Sequence, residues 1–411
     1  MKGVFIVLDG AGDGPCSALG GKTPLEAAVT PNLDAIARES KLDYCFTVRE
    51  GVVPESDNGI LNLLGYDPEL IGRGTLEAMG LGIKLKNGDL AFRCNFATID
   101  DLENREILDR RAGRTLTTKE ARILAEAINK GVKLPFKFEF YSSVQHRGVL
   151  VIRGGFSDNI SKVDVIKNRL EFSAPLDDED DSKLSADLVN QFVRKSHEVL
   201  DKHPINIERG KKGLFAANVI LCRGAGSVPS RFKKLRGKWL GLGYMPLEIG
   251  IEKAAGMDFY NFRYPKMKGI DVYATIYSGL KKAMRNAVRV LKRGRKKYDY
   301  VFIHIKETDL PGHDNKPLDK VRMLELLDKR FFWYVRKFVG ADSGEKIRLV
   351  ITADHSTPCR EKGHSAGPVP VLIYPYEKIK EGQRFTESFG LEGKKWLGRK
   401  LLEGTLFRKQ G

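Results

Sequence analysis

Four short apolar runs constrain the fold of this chain more than any other feature. Lys2–Leu8, Tyr300–Ile305 (YVFIHI), Arg348–Thr352 (RLVIT) and Val369–Ile373 (VPVLI) are rich in β-branched and other apolar residues. Helical patterns fall between them, at Pro31–Glu39, Ala274–Leu291 and about Asp319–Phe338. A strand buried on both faces shows no alternation of polar and apolar residues. Such runs separated by amphipathic helices predict an α/β fold with a mainly parallel sheet covered on two faces. Ligands of such sheets sit beyond the carboxyl ends of the strands. Asp9, Asp309 and Asp354 each fall at or just past the end of one run, so three separate segments bring carboxylates to one rim.

The middle of the chain reads differently. From about 87 to 232 the segments are shorter and more strand-like (LAFRCNFATI, GVLVIR, LFAANVILCR), with helices near Thr118–Lys130 and Ser182–Leu200. The acidic stretch Asp177–Lys183 predicts an exposed loop and a helix start. We expect a discontinuous core domain, 1–86 with 233–411, and a smaller inserted α+β domain at 87–232. A chain of 411 residues, 42% hydrophobic, can bury enough surface for both.

Bulk properties exclude several function classes. No run of about 18 apolar residues is present, so no membrane helix is expected. The first apolar stretch is too short for a signal peptide and ends at Asp9, which points to the cytoplasm. Five dispersed cysteines (Cys16, Cys45, Cys94, Cys222, Cys359) lack the spacing of a disulfide framework or a thiolate zinc site. The net charge of +17 suits a small anionic substrate, a solvated basic surface or nucleic acid. The basic clusters RFKKLRGK, LKRGRKK and VIKNR sit in no recognisable nucleic-acid-reading module, so nucleic acid is not expected as the main partner.

The chemistry is concentrated near the carboxyl end. Asp309 and His313 lie in TDLPGH, Asp354 and His355 in TADHS, and His364 follows. Four of the seven histidines lie between residues 304 and 364. Carboxylates and neutral imidazoles are ligands for Zn- or Mn-class ions, and Asp9 joins them from the first run. Pro311 and Gly312 predict a tight loop between Asp309 and His313. Ser56 and Asp57 open a helical segment in VVPESDNGILNLLGY, with Ser56 expected as its cap. A helix start stabilises negative charge on a serine alkoxide or a phosphoryl group, and an adjacent ion is needed to activate the hydroxyl. Arg110, Arg111 and Arg114 in DRRAGR, with Arg93, Arg223 and the His146–Arg147 pair, predict an anion pocket in the inserted region. The glycine-rich GRGTLEAMGLG matches no phosphate loop and reads as a hinge or turn.

The motifs SDNGILNLLGYDP, GRGTLEAMGLGI, LAFRCNFATI, DRRAGR, HPIN, RGAG, TDLPGHDNKP and TADHSTPC occur in that order. With them the chain resembles the archaeal-type cofactor-independent phosphoglycerate mutases of the alkaline phosphatase superfamily. The resemblance implies an alkaline-phosphatase-like core, an inserted substrate domain and a phosphoserine intermediate. It implies two divalent ions, usually manganese but sometimes magnesium, cobalt or zinc, and no 2,3-bisphosphoglycerate. Asp309, His313 and His364 then resemble the ligands of one ion. Asp9, Ser56, Asp354 and His355 resemble those of the other, with Ser56 as nucleophile. Asp57, Arg93, Arg110, Arg111, Arg114, His146 and Arg223 match the substrate-binding positions.

Three departures stand out. The usual S-D-T-A-H reads SDNGI, placing Asn58 and Ile60 at the third and fifth positions. A Lys-Gly pair of the return segment reads Ile249-Gly250, and KGIDVYA replaces a G-A-T-G. The expected reaction is interconversion of 3-phosphoglycerate and 2-phosphoglycerate. The alternatives are a diverged phosphatase or phosphotransferase on another small phosphorylated compound, and a non-catalytic basic RNA-binding protein.

Overall fold

A computed structural model of the chain describes residues 1–166, 168–227, 233–265, 272–340, 347–376 and 381–408. Parts of RFKKLRGK, VIKNR and KGIDVYA therefore lie outside the described residues. The chain divides into two compact units, one of Met1–Pro68, Lys233–Tyr244 and Ala255–Gly411, the other of Glu69–Phe232 and Met245–Ala254.

Among the described residues the first unit holds an eight-stranded sheet. Its order is Asp258–Phe259, Trp239–Leu242, Tyr300–Ile305, Gly3–Leu8, Arg348–Thr352, Val369–Tyr374, Lys41–Phe46 and Lys395–Leu397. The first five strands are parallel, and Val369–Tyr374 alone runs against its neighbours. Gly3–Leu8 is central and fully buried, which is why its sequence is uniformly apolar. Its register pairs Leu8 with Ile305 and Val7 with Thr352. The residues following all three strands thus reach the same rim. The helix expected at 319–338 is interrupted: Pro317–Leu327 passes through a π-helical turn at Asp328–Phe332 into Trp333–Val339. The buried Asp328 carboxylate there accepts from the backbone of Asn32 and Leu33, tying the turn to a neighbouring helix start. No helix among the described residues is long and apolar enough to cross a membrane.

The second unit is built on an antiparallel sheet. Leu90–Ile99 pairs with Arg147–Ile152, with Val219–Gly226 and, at its end, with Ile107–Asp109. Phe138–Ser142 extends it beyond Arg147–Ile152. Thr118–Gly131, opened by a Thr117–Glu120 capping box, and Asp180–Asp201 contribute apolar faces to the core over it. Two further helices, Arg73–Gly80 and Pro246–Ala254, pack on each other within this unit. The boundaries read from sequence, 87 and 232, leave both helices out. Their contact is backbone to backbone: a Cβ at Gly80 would lie 1.7 Å from the Pro246 carbonyl, one at Gly250 1.8 Å from that of Leu76. Small residues meeting in space across about 170 positions of sequence leave no hydrophobic period to read.

Candidate functional site

The predicted ligands and Ser56 all belong to the first unit and converge at the rim of its sheet. His355 Nε2 lies 3.2 Å from Ser56 Oγ, 3.3 Å from Asp9 Oδ1 and 3.4 Å from Asp354 Oδ2. Beside this group, Asp309 Oδ2 is 3.3 Å from His313 Nε2, and Asp309 Oδ1 is 3.9 Å from His364 Nε2. Asp9, Asp309 and His355 present donor atoms within 4.8 Å of one another, so the two halves are contiguous.

Local structure explains each placement. Asp309 precedes a short helical turn, Leu310–His313, instead of the expected loop, which sets Asp309 and His313 one turn apart on one face. Pro311 is tolerated because it falls in the first turn, where its missing N–H is not needed. Ser56 is the first residue of the helix Ser56–Leu63; the cap expected at Ser56 is Glu55. That helix start is pressed onto the loop carrying Asp354 and His355, since a Cβ at Gly59 would lie 2.4 Å from the Asp354 carbonyl. Gly59 belongs to the departure SDNGI, and Ile60 beside it is buried in the core. Ile249 likewise sits inside the Pro246–Ala254 packing. Two of the altered positions therefore serve packing in their own units.

The imidazoles are oriented by their other nitrogens. His364 Nδ1–H donates to the Pro54 carbonyl (2.8 Å) and His313 Nδ1–H to that of Lys362 (3.2 Å). The Thr357 hydroxyl donates to Asp309 Oδ1 (2.8 Å), so it accepts from His355 Nδ1–H (2.9 Å). Each acceptor fixes Nδ1 as the protonated nitrogen and aims Nε2 at the carboxylates, the arrangement of metal-bound histidines. Asp9 Oδ1 and Asp354 Oδ2 are buried and accept no hydrogen bond. Burying carboxylate oxygens without donors is unfavourable unless a cation meets them. The donor set fits divalent ions.

Burial and neighbouring charges set the protonation of these groups. Burial opposes ionisation of Asp9, but Lys306, His355 and His304 outweigh it and hold the carboxyl well below its usual range. Burial, reinforced by Asp9, pushes Asp354 up to about 7. His355 is raised to about 9 because Asp354, Asp9 and Asp309 overcome its burial. Asp309 is lowered despite burial and the charge of Asp9, chiefly by His313, which is raised in turn by the same contact. Burial and the neighbouring His355 lower His364.

Three more residues complete the rim without any expectation from sequence. Lys306 Nζ is 2.5 Å from Asp9 Oδ2. Buried His304 places Nε2 3.5 Å from Asp9 Oδ2 and 3.7 Å from Asp354 Oδ2. Thr357 is the third. A histidine and a lysine at the end of the apolar run YVFIHIK were the available signal.

The remaining predicted residues fall in both units. Asp57, buried, follows Ser56 in the first. Arg93, Arg110, Arg111, Arg114, His146 and Arg223 belong to the second, where they gather. Arg93 and Arg223 are directly paired across adjacent strands. Arg223 Nη1 is 3.5 Å and Arg110 Nη2 2.5 Å from the Asp164 carboxylate. Burial, then the charges of Arg147, Arg111, Arg93 and Arg114, press His146 down to about 3.

Comparison with known proteins agrees with this chemistry. Residues 37–206 match the family model described as 2,3-bisphosphoglycerate-independent phosphoglycerate mutase. Proteins of that name from Thermococcus kodakarensis and Pyrococcus furiosus are 41% and 43% identical to the chain. In each case the match covers 90% of this chain and 88% of the relative. A solved Pyrococcus horikoshii protein superposes with a TM-score of 0.78 at 31% identity, covering 100% of this chain and 99% of that one. The cofactor-independent phosphoglycerate mutase of Thermoplasma acidophilum gives 0.58 at 27%, covering 99% of each. The chain belongs to the 2,3-bisphosphoglycerate-independent phosphoglycerate mutases.

Proposed function

We propose that this chain interconverts 3-phosphoglycerate and 2-phosphoglycerate by way of a phosphoserine at Ser56, in the cytoplasm. The observation that carries the reading is the convergence on His355 Nε2 of Ser56 Oγ, Asp9 Oδ1 and Asp354 Oδ2 within 3.2 to 3.4 Å. Asp309, His313 and His364 would hold one divalent ion; Asp9, Ser56, Asp354 and His355 would hold the other. When bound, such ions favour deprotonation of the Ser56 hydroxyl and neutralise charge on phosphoryl oxygens. Mn, Co and Zn all suit these oxygen and imidazole donors, and the family resemblance favours manganese.

Ser56 Oγ forms its bond to phosphorus as the bond from phosphorus to the substrate oxygen breaks, and that oxygen takes up a proton. The second half reverses the step on the other hydroxyl of the same glycerate. Phosphate is neither gained nor lost. The helix start at Ser56 favours the negative charge of both the attacking oxygen and the transferred group. Arg93, Arg110, Arg111, Arg114 and Arg223 would hold the glycerate carboxylate, with His146 kept neutral among them. Asp57 would orient the substrate beside Ser56.

Replacing Ser56 with Ala tests the route. Conversion of 3-phosphoglycerate followed by phosphorus NMR should fall at least ~10³-fold with manganese supplied. Activity within tenfold of the parent would exclude the phosphoserine.

A further inference from the structure

The glycine-rich motif GRGTLEAMGLG, read above as a hinge, has a more specific arrangement. Gly72 precedes the helix Arg73–Gly80, and a Cβ there would lie 2.1 Å from the Ala225 carbonyl. One at Gly74 would lie 2.2 Å from the Ala91 carbonyl. On the facing strand, Gly224 has φ +58, and a Cβ there would come within 3.0 Å of the Arg73 Cβ. Glycines on both sides thus lower the helix start onto Leu90–Ile99 and Val219–Gly226. Those are the two strands that present Arg93 and Arg223 as a facing pair.

The result is a crowd of like charge. Glu77, buried one turn further along the helix, offers the same Oε1 to Arg73 Nε at 3.2 Å and to Arg93 Nε at 3.3 Å. Two guanidinium groups therefore meet over one carboxylate oxygen. The side chains of Arg73, Arg93 and Arg223 are only 19%, 16% and 22% exposed, so water screens their repulsion poorly. Burial, and after it Arg73, is what most lowers Arg93, to about 9. Guanidinium groups held together in this way can bind a planar anion, each through two parallel N–H donors.

We propose that Arg73 is an anion-binding residue of this unit, acting with Arg93 and Arg223 on the carboxylate of a small phosphorylated hydroxy acid. The inference rests on the mutase reading for the identity of the anion. The packing around Gly72, Gly74 and Gly224 then exists to deliver this side chain. Once the phosphoryl group has left, the glycerate would be retained by its carboxylate, and Arg73 would contribute to that retention.

The test is equilibrium binding, which does not depend on turnover. 3-Phosphoglycerate is titrated calorimetrically into the manganese-loaded full chain carrying Ser56→Ala, which cannot form the phosphoserine, and the Arg73 and Glu77 variants are made in that background. Arg73→Met should weaken 3-phosphoglycerate binding by at least ~10-fold, the scale of a lost charge-assisted bond, and Arg73→Lys should recover part of it. Glu77→Gln frees both guanidinium groups from their shared carboxylate, so it should tighten binding by ~3-fold or more. A merely structural Arg73–Glu77 pair predicts the opposite for Glu77→Gln. Unchanged binding in folded Arg73→Met, or weaker binding in Glu77→Gln, would overturn the proposal even where the chain with Ser56 intact isomerises normally. Arg73-dependent binding of 3-phosphoglycerate by a chain that fails to isomerise it with Ser56 intact would instead refute the mutase reading and leave Arg73 in its assigned role.

Discussion

Thr357 joins the two halves of the ligand cluster through a single hydroxyl, and Thr357→Val removes it with almost no change of shape. The hydroxyl accepts from His355 Nδ1–H at 2.9 Å and donates to Asp309 Oδ1 at 2.8 Å. The residue is fully buried, so water cannot replace either bond. Each bond to a group that carries charge is worth about 1.5–3 kcal/mol, giving a ceiling of about 3–6 kcal/mol for both. Much of that loss falls on the ion-free and ion-loaded states alike and cancels from the binding constant. What survives is the misorientation of His355 and Asp309. Loss of such an outer contact weakens metal affinity by about 10–100-fold, or about 1.4–2.7 kcal/mol. Calorimetric titration with manganese at neutral pH should show this loss in Thr357→Val and recovery to within about threefold in Thr357→Ser. A valine variant that binds manganese as tightly as the parent would refute the orienting role and, with it, the assignment of Nε2 as the ligand atom.

Manganese affinity should rise with pH up to about 9, because His355 (about 9) and Asp354 (about 7) must surrender protons to the ion; calorimetry in buffers of different ionisation enthalpy measures the release, and a pH-independent affinity would contradict it. Gly59→Ala forces a methyl to within 2.4 Å of the Asp354 carbonyl, so stability should drop by about 1–3 kcal/mol in urea melts, with isomerisation falling further than stability. His146 is held near 3, well below the ordinary 6.5, so the unfolded chain binds more protons between those values and stability falls as pH drops through that window. Comparing urea midpoints of the parent and His146→Phe from pH 7 to pH 4 should show a steeper acid loss in the parent; parallel curves would disprove it.

Much of the rim is legible in the sequence because its residues obey rules that act within a few positions. A carboxylate ending a continuous apolar run marks the carboxyl end of a buried parallel strand; this rule locates Asp9 and Asp354, and the spacing to His313 in TDLPGH selects Asp309 over the nearer Glu307. The imidazoles follow from their spacing to those carboxylates. Thr357 shows where such reasoning stops. Its hydroxyl matters only because the turn after Arg348–Thr352 lies against the turn after Tyr300–Ile305, and no local pattern records that meeting. The packing of Gly80 on Pro246 is equally silent, since two helices that meet at single glycines advertise nothing but weak helix propensity.

His304 and Lys306 expose a subtler reason. In a run such as YVFIHIK a buried histidine reads as an imperfection in an otherwise apolar strand, and a lysine reads as the strand's solvated end. Register changes both meanings. Leu8 pairs with Ile305, so the next residues along, Asp9 and Lys306, must emerge side by side, and they do so at 2.5 Å. A basic residue at that point is the neighbour of the central carboxylate by construction of a parallel pair. His304, two positions earlier on the same neighbouring strand and paired with Val7, likewise reaches Asp9 and, beyond it, Asp354. In a parallel sheet, then, a polar residue near the end of one apolar run should be judged against whatever terminates the adjacent runs. Applied to the three central strands here, that comparison singles out a lysine and a histidine whose distance from Asp309 along the chain, three and five positions, conceals their contact with Asp9 nearly three hundred positions away.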